Sequence, residues 1–267
     1  PVQSHLDISS LLSYSTYSSH TVRVMEDGHA YAVGDNNDYR IGGTLPQNFL
    51  KYDTEIKFIN ENDSQVKFIS AVCGKFYTLY LVSDDSNGKI QLAYAHKDEK
   101  DSPLFLNIGD KVPVAIFGGA KTSAAIDNEG EVIIVTESVF TSPNNRIKAI
   151  NLPGKDKAIK IACCDKFIIA LGASGHAYEC TTLNDVNPTF FEISEFTNQK
   201  VLDVAGSHRH CFIVLDDGRV FGRGSNEDCR LGLDAGTRDY PNFVEIESLK
   251  DHKIVAAFAG YVHSLFK

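Results

Sequence analysis

Short runs of β-branched and aromatic residues, cut by turn residues, set the rhythm of this chain. "FYTLYLV", "EVIIV", "KAINL", "TFFEI" and "CFIVL" are the clearest, and turn signals interrupt them every eight to fifteen residues. No long window repeats apolar residues at the 3.6-residue helical period. The pattern therefore predicts an all-β protein and argues against an α/β enzyme.

One frame recurs. "HTVRVMEDG" runs from His20 to Gly28, "TSAAIDNEG" from Thr122 to Gly130, "FIIALGASG" from Phe167 to Gly175, and "HCFIVLDDG" from His210 to Gly218. Tyr77 reaches Gly88 with three extra residues, and a sixth copy starts at His263. Gly readily takes the positive φ that tight hairpin turns require. After each Gly comes a polar and then an aliphatic residue, as in Arg219–Val220 and Lys89–Ile90. Each frame is thus a hairpin.

A strand rich in small residues precedes each hairpin: "KFISAVCG", "VPVAIFGG", "AIKIACC", "KVLDVAG" and "KIVAAFAG". Another follows: "EIKFI", "LFLNI", "IKAINL", "FFEIS" and "FVEIE". Small side chains suit a place where strands converge on an axis. Four strands per unit, with anchors 43 to 57 residues apart, predict the blades of a β-propeller.

The loop after the hairpin carries a second signature. Gly34-Asp35-Asn36-Asn37-Asp38-Tyr39-Arg40-Ile41-Gly42 matches Gly224-Ser225-Asn226-Glu227-Asp228-Cys229-Arg230-Leu231-Gly232. Both resemble the G-x-N-x-x-G-Q-L-G of RCC1-type (regulator of chromosome condensation) repeats. Gly260-Tyr261-Val262-His263-Ser264 resembles the G-x-x-H-[ST] of the same repeats. The likeness runs over almost the whole chain, sharpest in units one and five and weakest in two to four. Arg40 and Arg230 stand where the family has Gln. The chain has no Trp, so the family's aromatic before G-x-N is missing and WD40 repeats are disfavoured. The resemblance implies a single propeller domain over residues 1–267.

The ends suggest how such a ring closes. Leu6–Leu11 resembles Val244–Leu249, so a fourth strand is expected near residues 4–11, pairing with C-terminal strands over 253–267. That makes six blades, or seven if the chain is a fragment, since rings of this type usually have seven. Closure matters because an open ring leaves long unpaired edges.

Composition narrows the partners. A net charge of −9 over 267 residues is poorly matched to nucleic acid or anionic lipid, and no Lys/Arg run is present. The six cysteines form no C-x-x-C pair, and no signal sequence or membrane-spanning apolar run is evident. A reducing compartment is expected, cytoplasmic or else nuclear.

Candidate chemistry is sparse. His208, His210 and Cys211 look like zinc ligands, but positions 208 and 210 would share one strand face and 211 the other. The equivalents of His210 include Phe167 and Thr122, which points to a structural anchor. His208 looks like a one-residue insertion relative to "GYVH". "FGGAKTSAA" (Phe117–Ala125) lacks the Gly before Lys and the following helix that a P-loop needs. Asn36 and Asn226 are expected to brace their loops, with Arg40 and Arg230 pairing with Asp38 and Asp228. Cys163 and Cys164 are expected to be buried and inert. No cofactor, metal or catalytic set is expected. The candidate partner contacts are Asp35, Asn37, Tyr39, Arg40, Glu227, Asp228 and Arg230.

The expected function is non-enzymatic: a protein-binding scaffold or adaptor that presents variable loops on a rigid frame. RCC1-like propellers are often fused to BTB or HECT modules, so a ubiquitin-pathway component is one implied partner. The alternative is guanine nucleotide exchange on a small Ran-like GTPase, as the founding member of the family performs.

Overall fold

A computed structural model describes residues 10–17, 19–42, 45, 46, 48–59, 64–97, 103–136, 147–183, 185 and 187–267. Among these there is no α-helix, only strands, turns and short 3-10 segments. The chain forms two compact units, residues 1–106 and 107–267.

The first unit holds two four-stranded antiparallel sheets. Blade one comprises β1 (Leu11–Tyr17), β2 (His20–Met25), β3 (Ala30–Asp35) and β4 (Phe49–Ile56). Blade two comprises β5 (Val66–Cys73), β6 (Tyr77–Asp84), β7 (Ile90–His96) and β8 (Leu104–Phe105). Phe58, Phe68 and Tyr80 pack together with ring centroids 5.0 to 5.5 Å apart. The Tyr80 hydroxyl donates to the Ile41 carbonyl at 2.8 Å, satisfying a polar tip inside that aromatic core.

The second unit holds three more such sheets and a smaller one. Blade three is β9 (Pro113–Gly118), β10 (Ser123–Asp127), β11 (Val132–Val135) and β12 (Ala149–Ile150). Blade four is β13 (Ala158–Cys163), β14 (Ile168–Gly172), β15 (Ala177–Cys180) and β16 (Phe191–Glu192). Blade five is β17 (Val201–Ser207), β18 (His210–Leu215), β19 (Val220–Ser225) and β20 (Asp239–Glu245). The last sheet pairs β21 (Ala257–Ala259) with β22 (Ser264–Phe266).

The predicted hairpins are those observed: β2–β3, β6–β7, β10–β11, β14–β15 and β18–β19 are all antiparallel pairs. The middle strands of the second unit are buried along their whole length, as β10, β14 and β18 show. Within the second unit each blade covers the next. Ala124, Ile126 and Val132 of blade three share a core with Ile161, Ile168 and Ala170 of blade four. Val204, Cys211 and Ile213 of blade five close over Ile169 and Leu171 of blade four. Burial on both faces explains why these strands are continuous apolar runs rather than alternating ones. Each large side chain so buried contributes about 1.5–3 kcal/mol.

The fourth strands differ from expectation. β8, β12 and β16 pair over only two residues each. The apolar residues beyond those pairs turn inward: Leu152 and Phe190 are each 2% exposed. They leave the ladder to fill the space between blades. In blade one, "EIKFI" lies mostly past β4, which starts at Phe49 because Asp35 pairs with it.

Of the strand expected near 4–11, residues 4–9 lie outside the described residues, and Leu11 opens β1 instead. The C-terminal residues do supply a first and a second strand, in the form of β21 and β22.

Candidate binding surface

The two G-x-N loops are built alike. In blade one, the buried Asn36 donates through Nδ2 to the carbonyls of Gly42 (3.3 Å) and Pro46 (3.2 Å), and its Oδ1 accepts the Ile41 N–H at 3.0 Å. In blade five, Asn226 donates to Asp234 (3.0 Å) and Thr237 (3.1 Å) and accepts the Leu231 N–H at 3.1 Å. One amide side chain thus replaces several backbone partners that an irregular loop would otherwise lack. Gly34 and Gly224 open these loops at φ +112° and +104°. A Cβ there would stand 2.3 Å from the Ser19 carbonyl oxygen and 2.1 Å from that of Arg209, so no other residue fits.

The arginines of the motif are tied down. Arg40 bonds Asp38 (Nε–Oδ1, 2.6 Å), the Ser19 hydroxyl (2.9 Å) and the Lys75 carbonyl (3.0 Å). It also lies 3.4 Å from Asp35. Arg230 bonds the carbonyls of Glu227 (2.7 Å) and Tyr261 (3.2 Å) and the Asp228 carboxylate (3.1 Å). The Arg–Asp pairs are those expected from the spacing, and each Arg also reaches a turn of the next blade. Tyr39 and Asp228 take positive φ of 65° and 58° at the loop tips. Asn37, Glu227 and Asp228 are exposed, whereas Tyr39 and Asp35 are half-buried. Asp35, Asn37, Tyr39 and Arg40 form one cluster in the first unit; Glu227, Asp228 and Arg230 form another in the second.

The anchor histidines complete the same device. His20 Nε2 lies 3.0 Å from Thr78 Oγ1, which donates to the Arg40 carbonyl at 2.8 Å. His210 Nε2 lies 3.1 Å from Ser264 Oγ, which donates to the Arg230 carbonyl at 2.7 Å. Each latch joins one blade's second strand, the second strand of the next blade and the G-x-N loop. Burial, aided by the nearby Arg40 and Arg230 guanidinium groups, lowers both histidines to about 4. The rings are therefore neutral at physiological pH.

His208 belongs to neither a strand nor an insertion. It sits at φ 42° in the four-residue turn Ser207–His210, which corresponds to Gly260–His263. Ser207 takes the place of Gly260, and Gly206, paired with Cys211, takes the place of Ala259, paired with Ser264. His208 thus has a counterpart, Tyr261, and the two rings touch at 4.7 Å. Its Nε2 lies 3.4 Å from Asp165. The three side chains that resembled a zinc set face three different partners, since Cys211 Sγ lies 3.8 Å from the Arg223 carbonyl.

Other reactive groups have structural neighbours. Cys163 and Cys164 are fully buried; the hydrogen bond with Cys211 and then burial push the Cys164 thiol up, and burial alone pushes up that of Cys163. Cys73 is pushed up to about 12 for the same reason. Asp127, Glu129 and Glu131 bring carboxylates together, and the Lys111 ammonium sits among them, 2.6 Å from Glu131 and 3.5 Å from Asp127. Lys121 of "FGGAKTSAA" occupies a hairpin turn, and the strand β10 follows it.

At the loop end of the second unit lies an open cleft of about 770 Å³. The turns preceding β10, β14 and β18 line it, together with the loop before β20. At its wall, Arg223 lies between the rings of Phe167 (4.4 Å) and Phe243 (4.5 Å) and forms an ion pair with Glu179. Of the residues lining this cleft, Gly224, Ser225 and Glu227 belong to the motif, and the cleft's cations do not. The signal lay in the aligned turns: Lys121, Lys166 and Arg209 each stand immediately before the anchor position.

Residues 217–266 match the regulator of chromosome condensation (RCC1) repeat. The fold is similar to that of human WBSCR16, with a TM-score of 0.71 at 12% identity, covering 93% of this chain and 71% of that one. It is equally similar to Prp20p of Saccharomyces cerevisiae, in a structure reported with its binding properties to Gsp1p and histones. There the TM-score is 0.72 at 14% identity, covering 96% of this chain and 68% of that one. Against yeast RCC1 (Prp20) bound to Kap60 the TM-score is 0.66 at 15% identity, and this chain spans 64% of that protein's length. The fold is thus an all-β propeller built of four-stranded blades. The chain carries an RCC1 repeat over residues 217–266 and has a fold similar to that of RCC1-like propellers. No helix among the described residues is long and apolar enough to cross a membrane.

Proposed function

We propose that this chain is a non-enzymatic protein-binding propeller, a scaffold or adaptor that engages its partner with the loop end of the blades. One observation carries the reading. The polar groups most suited to chemistry are spent on the fold: His20 and His210 in latches, Asn36 and Asn226 in loop bracing, Arg40 and Arg230 in ties between blades. Exposed loop residues and the cleft of the second unit are left available for a partner. The Asp35–Arg40 and Glu227–Arg230 loops contribute contacts, with Asn37, Glu227 and Asp228 the outermost. The partner is a protein, in the cytoplasm or nucleus, and the chain works as one propeller domain over residues 1–267. The test is cross-linking and capture with wild type and with a variant in which Asp234–Arg238 is replaced by a Gly/Ser loop. Loss of specific partners in the variant is expected; retention of all of them would sink the reading.

A second reading is guanine nucleotide exchange on a small Ran-like GTPase. The similarity to Prp20p, whose reported structure is paired with binding to Gsp1p, supports it. Labelled-GDP release from candidate GTPases decides the matter: acceleration at micromolar protein establishes exchange, and none removes it.

A further inference from the structure

We propose that the cleft of the second unit receives an acidic, extended segment of a partner protein, held by a stripe of cations that the repeat itself sets in place. The proposal rests on the loop-end reading above and names the chemistry of its partner. Three successive blades place a cation at the same step of the same turn: Lys121 before β10, Lys166 before β14 and Arg209 before β18. All three line the cleft, and Arg238, from the loop before β20, joins them.

The charge balance there runs against the rest of the molecule. The chain carries −9 overall. Of the carboxylates lining the cleft, Glu179 is paired with Arg223, Asp165 faces His208 at 3.4 Å, and Glu227 lies 4.0 Å from Arg209. Lys121, Lys166 and Arg238 are exposed, and their side chains have no ion-pair or hydrogen-bond partner among the described residues; Asp165 and Asp239 oppose them, so that five cations face four carboxylates in the lining. Unpaired like charges gathered in one concavity raise the local potential and draw in a ligand of the opposite sign.

The size and walls of the cleft favour a peptide. Cations from three blades span more than one small anion touches. Phe167, Tyr240 and Pro241 give the cleft apolar walls suited to side chains between the acids. Nucleic acid carries about one charge per 1.7 Å of duplex and would meet Asp239 and the acidic body of the chain. Spaced carboxylates avoid that repulsion.

The probe is a fluorescein-labelled dodecapeptide rich in Asp and Glu with one Phe. Its counterparts are the same peptide with Asn and Gln, and a single-stranded RNA of similar length. Anisotropy with the whole chain should show the acidic peptide binding more tightly than the amide peptide, and more weakly as salt rises. The triple variant Lys121→Glu/Lys166→Glu/Arg238→Glu should lose about tenfold or more in affinity, while Lys250→Glu on another surface changes nothing. An unshifted thermal midpoint shows that the triple variant is folded; should it not fold, the single reversals take its place. Equal binding of the two peptides, or unchanged binding by the variants, overturns the proposal, as does tighter binding of the RNA. If the triple variant still captures the wild-type partners while the acidic peptide shows no preference, this inference falls and the loop-end reading stands. Capture that survives replacement of the Asp234–Arg238 loop sinks the reading beneath it.

Discussion

Blade one and blade five carry the same loop motif, the same anchor histidine and the same kind of latch, yet differ in the turn before the anchor. Where blade five has Arg209 before its anchor, blade one has Ser19. Ser19 is turned to internal use, accepting Arg40 at 2.9 Å, whereas the Arg209 side chain is exposed beside the cleft. The comparison separates what the repeat needs from what one copy adds. Gly, Asn and His are shared because both blades close the same loop with the same bonds. The cation is not shared by both, so its reason lies outside the fold.

The shared part is best broken at the glycines. Gly34→Ala and Gly224→Ala should each cost about 3 kcal/mol or more, because the backbone is left-handed and the new Cβ meets a carbonyl oxygen. Urea unfolding of each unit should show the same loss at both positions. A large effect at one and not the other would mean the loops are not equivalent.

Acid should act next most strongly. The folded histidines titrate near 4 and the unfolded ones near 6.5, so the unfolded chain binds protons first. Stability from this source is complete above the unfolded value, falls as the pH drops from 6.5 towards 4, and levels off below. The loss is up to about 3 kcal/mol per histidine. A His20→Gln/His210→Gln variant should lack that part of the slope in urea midpoints measured across the range.

Asn36→Ala and Asn226→Ala come third. Each leaves an N–H and at least two carbonyls without their partner, at a cost of about 2–3 kcal/mol. Thermal midpoints should fall similarly for the two. The smallest stability effects belong to the unshared part: Lys121→Glu and Lys166→Glu should stay within about 0.5 kcal/mol of wild type, because neither side chain bonds the fold. A large loss on calorimetry would make these lysines structural and erase the distinction.

Much of this was legible in advance. The hairpin from His210 to Gly218 and the bracing by Asn226 follow from local turn chemistry, which is written in adjacent residues. The latches were legible by half. That His210 is an anchor could be inferred from Phe167 and Thr122 at equivalent positions, but Ser264 lies 54 residues away and belongs to another blade. The outer strands misled because Leu152 and Phe190 look like strand residues and serve as core filling instead. His208 was misplaced because Ser207 stands where Gly260 suggested a glycine. The cation stripe escaped notice for a simple reason: Lys121 and Lys166 are 45 residues apart, and no window of ordinary length contains both.

The latch has a bearing on how such a chain grows. Its histidine lies in one repeat and its hydroxyl in the following one, so the piece of sequence that is copied is not the piece that locks. Blades one and five carry the plug, His20 and His210, and the sheets that follow them carry the socket, Thr78 and Ser264. Duplicating a histidine-bearing repeat together with its successor therefore inserts a matched plug and socket. A gene could lengthen by such steps without designing a new junction, leaving the turn residues free to diverge from copy to copy.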